Sequence, residues 1–285
     1  MAAHGQISSV LSSGKWYKLS VPLDGVYKID YPLLRKMGVS PDQIDPKKIQ
    51  IYAGSNGMLP QANSAPRIND LKELAIHITG EEDGKFNKGD YILFFGQGPD
   101  SYQLIPGKGI FGYQNHLYTD KNFYFLTIGR GDGKRMTDLE NLSGIFPISN
   151  EFDDFAYYET EQYNELHSGR DWFGEQFDTK PEYTIRFEIP GIVEGSSIKL
   201  VSNVMAQSFI ETSFQVSYNS VAIGEQKVPP IANAQYAPKG IEITDTLITT
   251  STVVNASSRT NQDIRLKFIK AATGRSVGYL DYLLL

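Results

Sequence analysis

The chain contains no cysteine. Disulfides, thiolate nucleophiles, zinc–thiolate sites and iron–sulfur clusters are thereby excluded together. The compartment stays open, because many bacterial envelope proteins also do without disulfides. No apolar run approaches the roughly 20 residues that a membrane-spanning helix needs. Lys and Arg are nowhere dense, and the formal charge is −6. That balance argues against a nucleic-acid binder, whose phosphate contacts need clustered cations, and against an anionic membrane surface. The four histidines, at 4, 77, 116 and 167, have no H-E-x-x-H or similar metal spacing. The opening MAAHGQISSV lacks a basic segment followed by an apolar core, so it does not read as a signal peptide. It is expected to be an added leader or the trimmed start of a mature protein. No repeat recurs at a fixed period, so neither a solenoid nor a propeller is indicated.

What is present is aromatic and β-prone. The 285 residues include 17 Tyr and 15 Phe, which favours sheet over helix. The fold class expected is mainly β, in two β domains. A β-rich domain with one short helix covers 13–150, an acidic and aromatic connector covers 151–180, and an antiparallel, jelly-roll-like β-sandwich covers 181–285. In the first domain Lys15–Val21 and Val26–Ile29 read as strands joined by a hairpin turn at Pro22-Leu23-Asp24-Gly25. Asp30 is placed to cap a helix with Pro32 in its first turn, Leu33, Leu34 and Met37 inward, and Gly38 at its end. KIQIYAG and LAIHIT follow as strands. In the latter, Leu74, Ile76 and Ile78 share one face and His77 the other, so His77 reads as a partly exposed structural histidine.

NFYFLTIG reads as a further strand and GRGDGKRM as a hairpin tip. Residues 151–165 hold six carboxylates and five aromatics without one Lys or Arg. They read as a connector that packs its rings and solvates its charges, with a cation-binding surface as the alternative. From Tyr183 the alternation lengthens. Tyr183, Ile185, Phe187 and Ile189 share a face, and SSIKLVSNVMA, SFIETSFQVSYN, IEITDTLI, DIRLKFI and VGYLDYLLL continue the pattern at sandwich spacing.

Candidate chemistry is sparse. GEEDGKFNKGD, residues 80–90, carries oxygen side chains at nearly every second position. Counted from Asp83, however, an EF-hand would find Lys85 at position 3, Lys88 at position 6 and Phe94 at position 12. The stretch is expected to turn the chain and hold no metal. GRSVG, residues 274–278, matches the nucleophile elbow formally, but no histidine follows Ser276. Arg130-Gly131-Asp132 spells an adhesion tripeptide in a Gly-rich turn. Asn141-Leu142-Ser143 and Asn255-Ala256-Ser257 fit the glycan acceptor pattern. The most unusual cluster is HSGRDWFGEQF, residues 167–177. Here Arg170 is placed to pair with Asp171 or Glu175, while Trp172 and Phe173 are expected to bury at a domain junction or to anchor a partner.

Four segments together resemble a known family: GKWYKLSVPLDGVYKIDYPLLRKMGVSPDQIDPKKIQIYAG, EEDGKFNKGDYILFFGQGPDSY, HLYTDKNFYFLTIG and HSGRDWFGEQF. They are similar to the N-terminal region of the type IX secretion system sortases of Bacteroidetes, members of the gingipain-like C25 cysteine peptidases. The likeness runs from Gly14 to Tyr282 and is most specific in the first and last segments. It implies an exported, outer-membrane-associated cell-surface protein whose parent removes the C-terminal sorting domain of secreted cargo and attaches the cargo to surface lipopolysaccharide. It further implies three partners: a downstream peptidase domain of the same polypeptide, the outer-membrane barrel PorV, and the cargo. The family's catalytic Cys and His lie downstream of the matching region, so no catalytic residue carries over and no cofactor is implied. The expectation is a non-catalytic region that docks, positions or helps fold the peptidase. The alternative is a free-standing surface module that binds carbohydrate or protein, with Trp16, Trp172 and the Tyr-rich connector as stacking platforms.

Overall fold

A computed structural model describes residues 8–129, 131–140, 144, 146–252 and 257–285. The protein is mainly β, with antiparallel sheets and one short α-helix. It divides into two compact units, Met1–Gln103 with Tyr113–Phe146, and Leu104–Gly112 with Pro147–Leu285. No helix among the described residues is long and apolar enough to cross a membrane.

The first unit carries β1 (Trp16–Val21), β2 (Gly25–Asp30), α1 (Tyr31–Lys36), β3 (Ile49–Ala53), β4 (Lys72–Leu74), β5 (His77–Ile78) and β6 (Tyr91–Gly96). Next comes a two-stranded ribbon, β7 (Ser101–Ile105) and β8 (Ile110–Gln114), whose tip falls in the second unit. β9 (Asn122–Ile128) then returns to the first. Two sheets, β1-β9-β3-β4 and β2-β6-β5, share one core. Ile51 and Leu126 from the first sheet meet Ile29, Ile92 and Phe94 from the second, with Leu34 of α1 at full burial. The helix begins where Asp30 accepts a hydrogen bond from the Leu33 N–H and ends at Gly38, whose φ of 83° is left-handed.

The hairpin expected at Pro22–Gly25 is corrected. β1 pairs with β9 and β2 with β6, so the chain changes sheets there. Gly25 is not left-handed. Asp24 Oδ1 accepts the Gly98 N–H at 2.7 Å and fixes the crossing. LAIHIT divides in the same way: Leu74 ends β4 in one sheet, and His77 opens β5 in the other. Its alternation holds, with Ile76 and Ile78 buried and His77 exposed.

The stretch 80–90 folds as a turn. Gly80 and Gly84, at φ 75° and 72°, flank a single 3-10 turn. Asp83 accepts from the Lys85 N–H and from Asn87 Nδ2, each at 2.9 Å, and Asp90 accepts from the Asn87 N–H at 2.7 Å. Phe86 inserts into the core at 1% exposure. Arg130 lies outside the described residues. The rest of GRGDGKRM is not a hairpin tip: Gly133 N–H donates to Lys47 O, and Met136 N–H to Ile76 O. The Asn141 glycan pattern and Asn255 also lie outside the described residues.

The second unit carries β10 (Tyr157–Glu159), β11 (Gln176–Phe177), β12 (Glu182–Glu188), β13 (Ser197–Ser208), β14 (Thr212–Tyr218), β15 (Val221–Val228), β16 (Ile241–Thr250), β17 (Asn261–Ile269) and β18 (Ser276–Leu284). One sheet runs β10-β18-β13-β16, with β11 also on β18, and the other runs β12-β17-β14-β15. Successive strands alternate between the two sheets except at β10-β11 and β14-β15. This is the winding of a jelly roll. Phe177, Phe214, Phe268, Leu266 and Leu280 fill the space between the sheets. Burying each such side chain is worth about 1.5–3 kcal/mol. Gly278 lies under the rings of Phe214 and Phe268, where a Cβ would come within 2.7 Å of Phe214 Cζ. Ser276, of the formal elbow motif, is buried and its Oγ accepts the Ala271 N–H at 3.2 Å, while Gly274 at φ 79° turns the chain into β18.

Candidate functional site

The outer face of the β10-β18-β13-β16 sheet holds the most concentrated chemistry in the described chain. Alternation assigns the faces. Leu200, Val204 and Ala206 of β13 point into the sandwich core, so Lys199, Val201, Asn203 and Met205 point outward. The register then writes rows across the face. One row reads Glu159, Tyr282, Asn203, Thr244 from β10 to β16. The next brings Tyr279, Met205 and Glu242 alongside. Between them the register slips, since Asn203 faces Tyr282 while Val204 faces Leu280. Asp281 is the extra residue of this β-bulge, a device that re-aims a side chain and often lies beside functional sites.

The two ends of the face are occupied. At one, Phe173, Tyr163 and Leu166 of the segment between β10 and β11 pack on Met205, Val277 and Tyr279. At the other, Lys199 Nζ donates to Gly109 O at 2.9 Å, in the tip of the β7–β8 ribbon. The polar row lies between.

Its electrostatics are one-sided. Burial first, and then the carboxylates of Glu159, Glu242, Glu161 and Asp171, together push the Asp281 carboxyl up to about 8. The Tyr282 hydroxyl is also raised, by burial first and then by Asp281. Asn203, 4% exposed, donates from Nδ2 to Glu242 Oε1 at 2.7 Å and to Thr244 Oγ1 at 3.0 Å. Its Oδ1 is buried without a hydrogen-bond partner. The Tyr157 hydroxyl donates to Glu159 Oε2, and the Tyr157 and Tyr282 rings lie 5.9 Å apart. Among the described residues no group of His, Asp or Glu side chains converges closely enough to hold a metal ion.

Arg170, Asp171, Trp172 and Phe173 lie on the segment between β10 and β11. Phe173 is fully buried, 5.8 Å from the Tyr279 ring. Trp172 is 39% exposed. Arg170 is exposed and in no ion pair among the described residues. Asp171 Oδ2 accepts from Ser168 Oγ at 3.0 Å and closes a tight turn. Glu175 is buried and bound by the Tyr158 hydroxyl, which burial and that carboxylate push up to about 12. Trp16 meets the Tyr52 ring edge to face, with centroids 5.3 Å apart, and its Nε1 donates to Ser13 O, so its indole is used internally. On the outer face of the other sheet, a shallow hollow of ≈ 440 Å³ is lined by Gln215, Ser217, Arg265 and Lys267.

No protein-family model matches this chain, and no curated protein sequence does. Among solved structures it is similar to dimeric latent PorU from Porphyromonas gingivalis, with a TM-score of 0.74 at 20% identity. The chain has the fold of a PorU segment. The match covers 97% of this chain and 24% of that PorU chain, so the chain spans about a quarter of PorU's length. Two further structures are far more distant. The carbohydrate-binding module CBM36, in complex with calcium and xylotriose, gives a TM-score of 0.27 at 11% identity over 45% of this chain and 97% of its own. An Arthrobacter globiformis T6 isomalto-dextranase complexed with panose gives 0.29 at 7% identity over 94% and 34%. Neither value bears on the fold.

Proposed function

We propose that this chain is the non-catalytic β region of a PorU-type sortase of type IX secretion, exported to the cell surface, where it docks or positions the C25 peptidase domain. The reading is supported by one observation above all, the fold match to PorU over 97% of the chain. The segments GKWYKLSVPLDGVYKID and HSGRDWFGEQF resemble the same family independently of any coordinates. Peptide cleavage, release of the sorting domain from cargo and contact with an outer-membrane barrel such as PorV then belong to the larger protein. On this reading the chain supplies no nucleophile.

The test mixes the purified chain with a separately prepared C25 peptidase domain of the same system. Association is followed by sedimentation velocity, and cleavage of a sorting-domain substrate by mass spectrometry. The expected result is a complex, with no cleavage by the chain alone. Unaided cleavage, or no association and no effect on the peptidase, overturns the proposal.

A further inference from the structure

We propose that the outer face of the β10-β18-β13-β16 sheet, at Glu159, Asp281, Glu242 and Asn203, binds a cationic side chain of a basic peptide segment, arginine best. This inference goes beyond the scaffold role and does not rest on it.

Charge complementarity is the first ground. Six carboxylates among the described residues meet a cation, among them Glu81 with Arg135, Asp263 with Arg186 and Asp178 with Lys270. Among the described residues Glu159, Asp281 and Glu242 have no such partner. They come from three strands of one sheet, brought together by register and by the bulge at Asp281. Crowded like charges without a counter-ion repel one another, and a bound cation relieves that repulsion.

The second ground is independent of charge. Asn203 Oδ1 is an acceptor with no donor, on a side chain 4% exposed. A buried acceptor left in that state is costly, and only an N–H or O–H can satisfy it. The same side chain holds Glu242 and Thr244 through its nitrogen and lies in hydrogen-bond reach of the Tyr282 hydroxyl, which sets the amide within this cluster. The third ground selects the kind of cation. The oxygens do not converge as metal ligands do. A guanidinium instead carries five N–H donors in a rigid planar fork and bridges acceptors that stand apart. The rings of Tyr157 and Tyr282 beside them suit a guanidinium plane better than a compact ammonium.

The pH dependence follows from the groups that face Asp281. These are Glu159 on β10, Glu242 on β16, Glu161 and Asp171 on the segment after β10, and Tyr282 on its own strand. Asp281, held up to about 8, is mostly protonated at pH 6.5 and ionised at pH 9. Binding therefore strengthens as pH rises across that interval.

The experiment uses the whole chain and a fluorescein-labelled Gly-Gly-Arg-Arg-Gly-Gly peptide, with Lys-Lys and Glu-Glu counterparts, read by anisotropy at both pH values. The Arg peptide is expected to bind saturably, more tightly at pH 9. Asp281→Asn or Glu242→Gln should weaken it about tenfold, the worth of one charge-assisted hydrogen bond. Asp281→Asn should also remove the pH dependence, while the distant surface variant Glu194→Gln changes nothing. In the wild-type chain the Asn203 side-chain amide resonances should shift on titration with the Arg peptide, a readout that needs no variant to fold. No saturable binding, equal weakening by Glu194→Gln, or unmoved Asn203 resonances overturns the proposal. So does a shift of those resonances by calcium chloride but not by the Arg peptide.

Discussion

At the scale of single residues, Asp281 makes the chain's stability depend on pH in an unusual direction. Its carboxyl is raised from 3.8 to about 8 in the folded state. Between those values the folded chain keeps a proton that the unfolded chain has released. Stability therefore falls as pH rises, by about 1.4 kcal/mol per unit at most from this group, and the loss is complete above pH 8. Asp281→Asn is expected to melt well above wild type at pH 9 and close to it at pH 4, as measured by calorimetry. The site was only partly legible in the sequence. A lone acid inside the apolar run VGYLDYLLL was a visible signal, as was the cation-free acidity of 151–165. That Asn203 and Glu242 stand beside them was not visible, because register between strands far apart in sequence has no local signature.

Secondary-structure elements show the same division between local and non-local information. The cap at Asp30 is written within four residues, and Asp30→Ala is expected to cost about 1 kcal/mol in urea unfolding. The alternation of β12 was equally plain, with Ile185 and Phe187 on the core side. β15 escaped notice, since VAIGEQKV offers few apolar residues. Gln226 is nevertheless buried, its Nε2 bonded to Ser202 O at 3.0 Å. The expected hairpin at Pro22–Gly25 failed for a different reason: turn residues announce a reversal but not which sheet receives the next strand. Glycines separate in a testable way at this scale. Gly278→Ala would drive a methyl into Phe214 and Phe268 and should cost about 1–3 kcal/mol. Gly89→Ala, with open space around it, should stay within about 0.5 kcal/mol of wild type. Parallel urea melts compare the two, and equal losses would refute the packing account.

For the whole molecule, each unit has its own core. Leu34→Ala in the first and Leu280→Ala in the second should each cost about 2–5 kcal/mol. Hydrogen exchange should show the lost protection confined to the unit that carries the change. The β-rich class and the jelly-roll winding of the second unit were legible, because alternating strands without helical periodicity leave few architectures. The ribbon β7–β8, whose tip groups with the second unit, was not legible, since nothing in KGIFGYQ says where it docks.

The interior place of β18 has a kinetic consequence. It lies between β10 and β13, so Tyr157 waits for Leu284 and Val201 waits for the same residue. During synthesis the sheet stays without its middle until the ribosome has delivered this strand, and the open borders of β10 and β13 are then free to pair with the wrong neighbour. Nascent chains of this protein should therefore lean on holdase chaperones until β18 has left the ribosome.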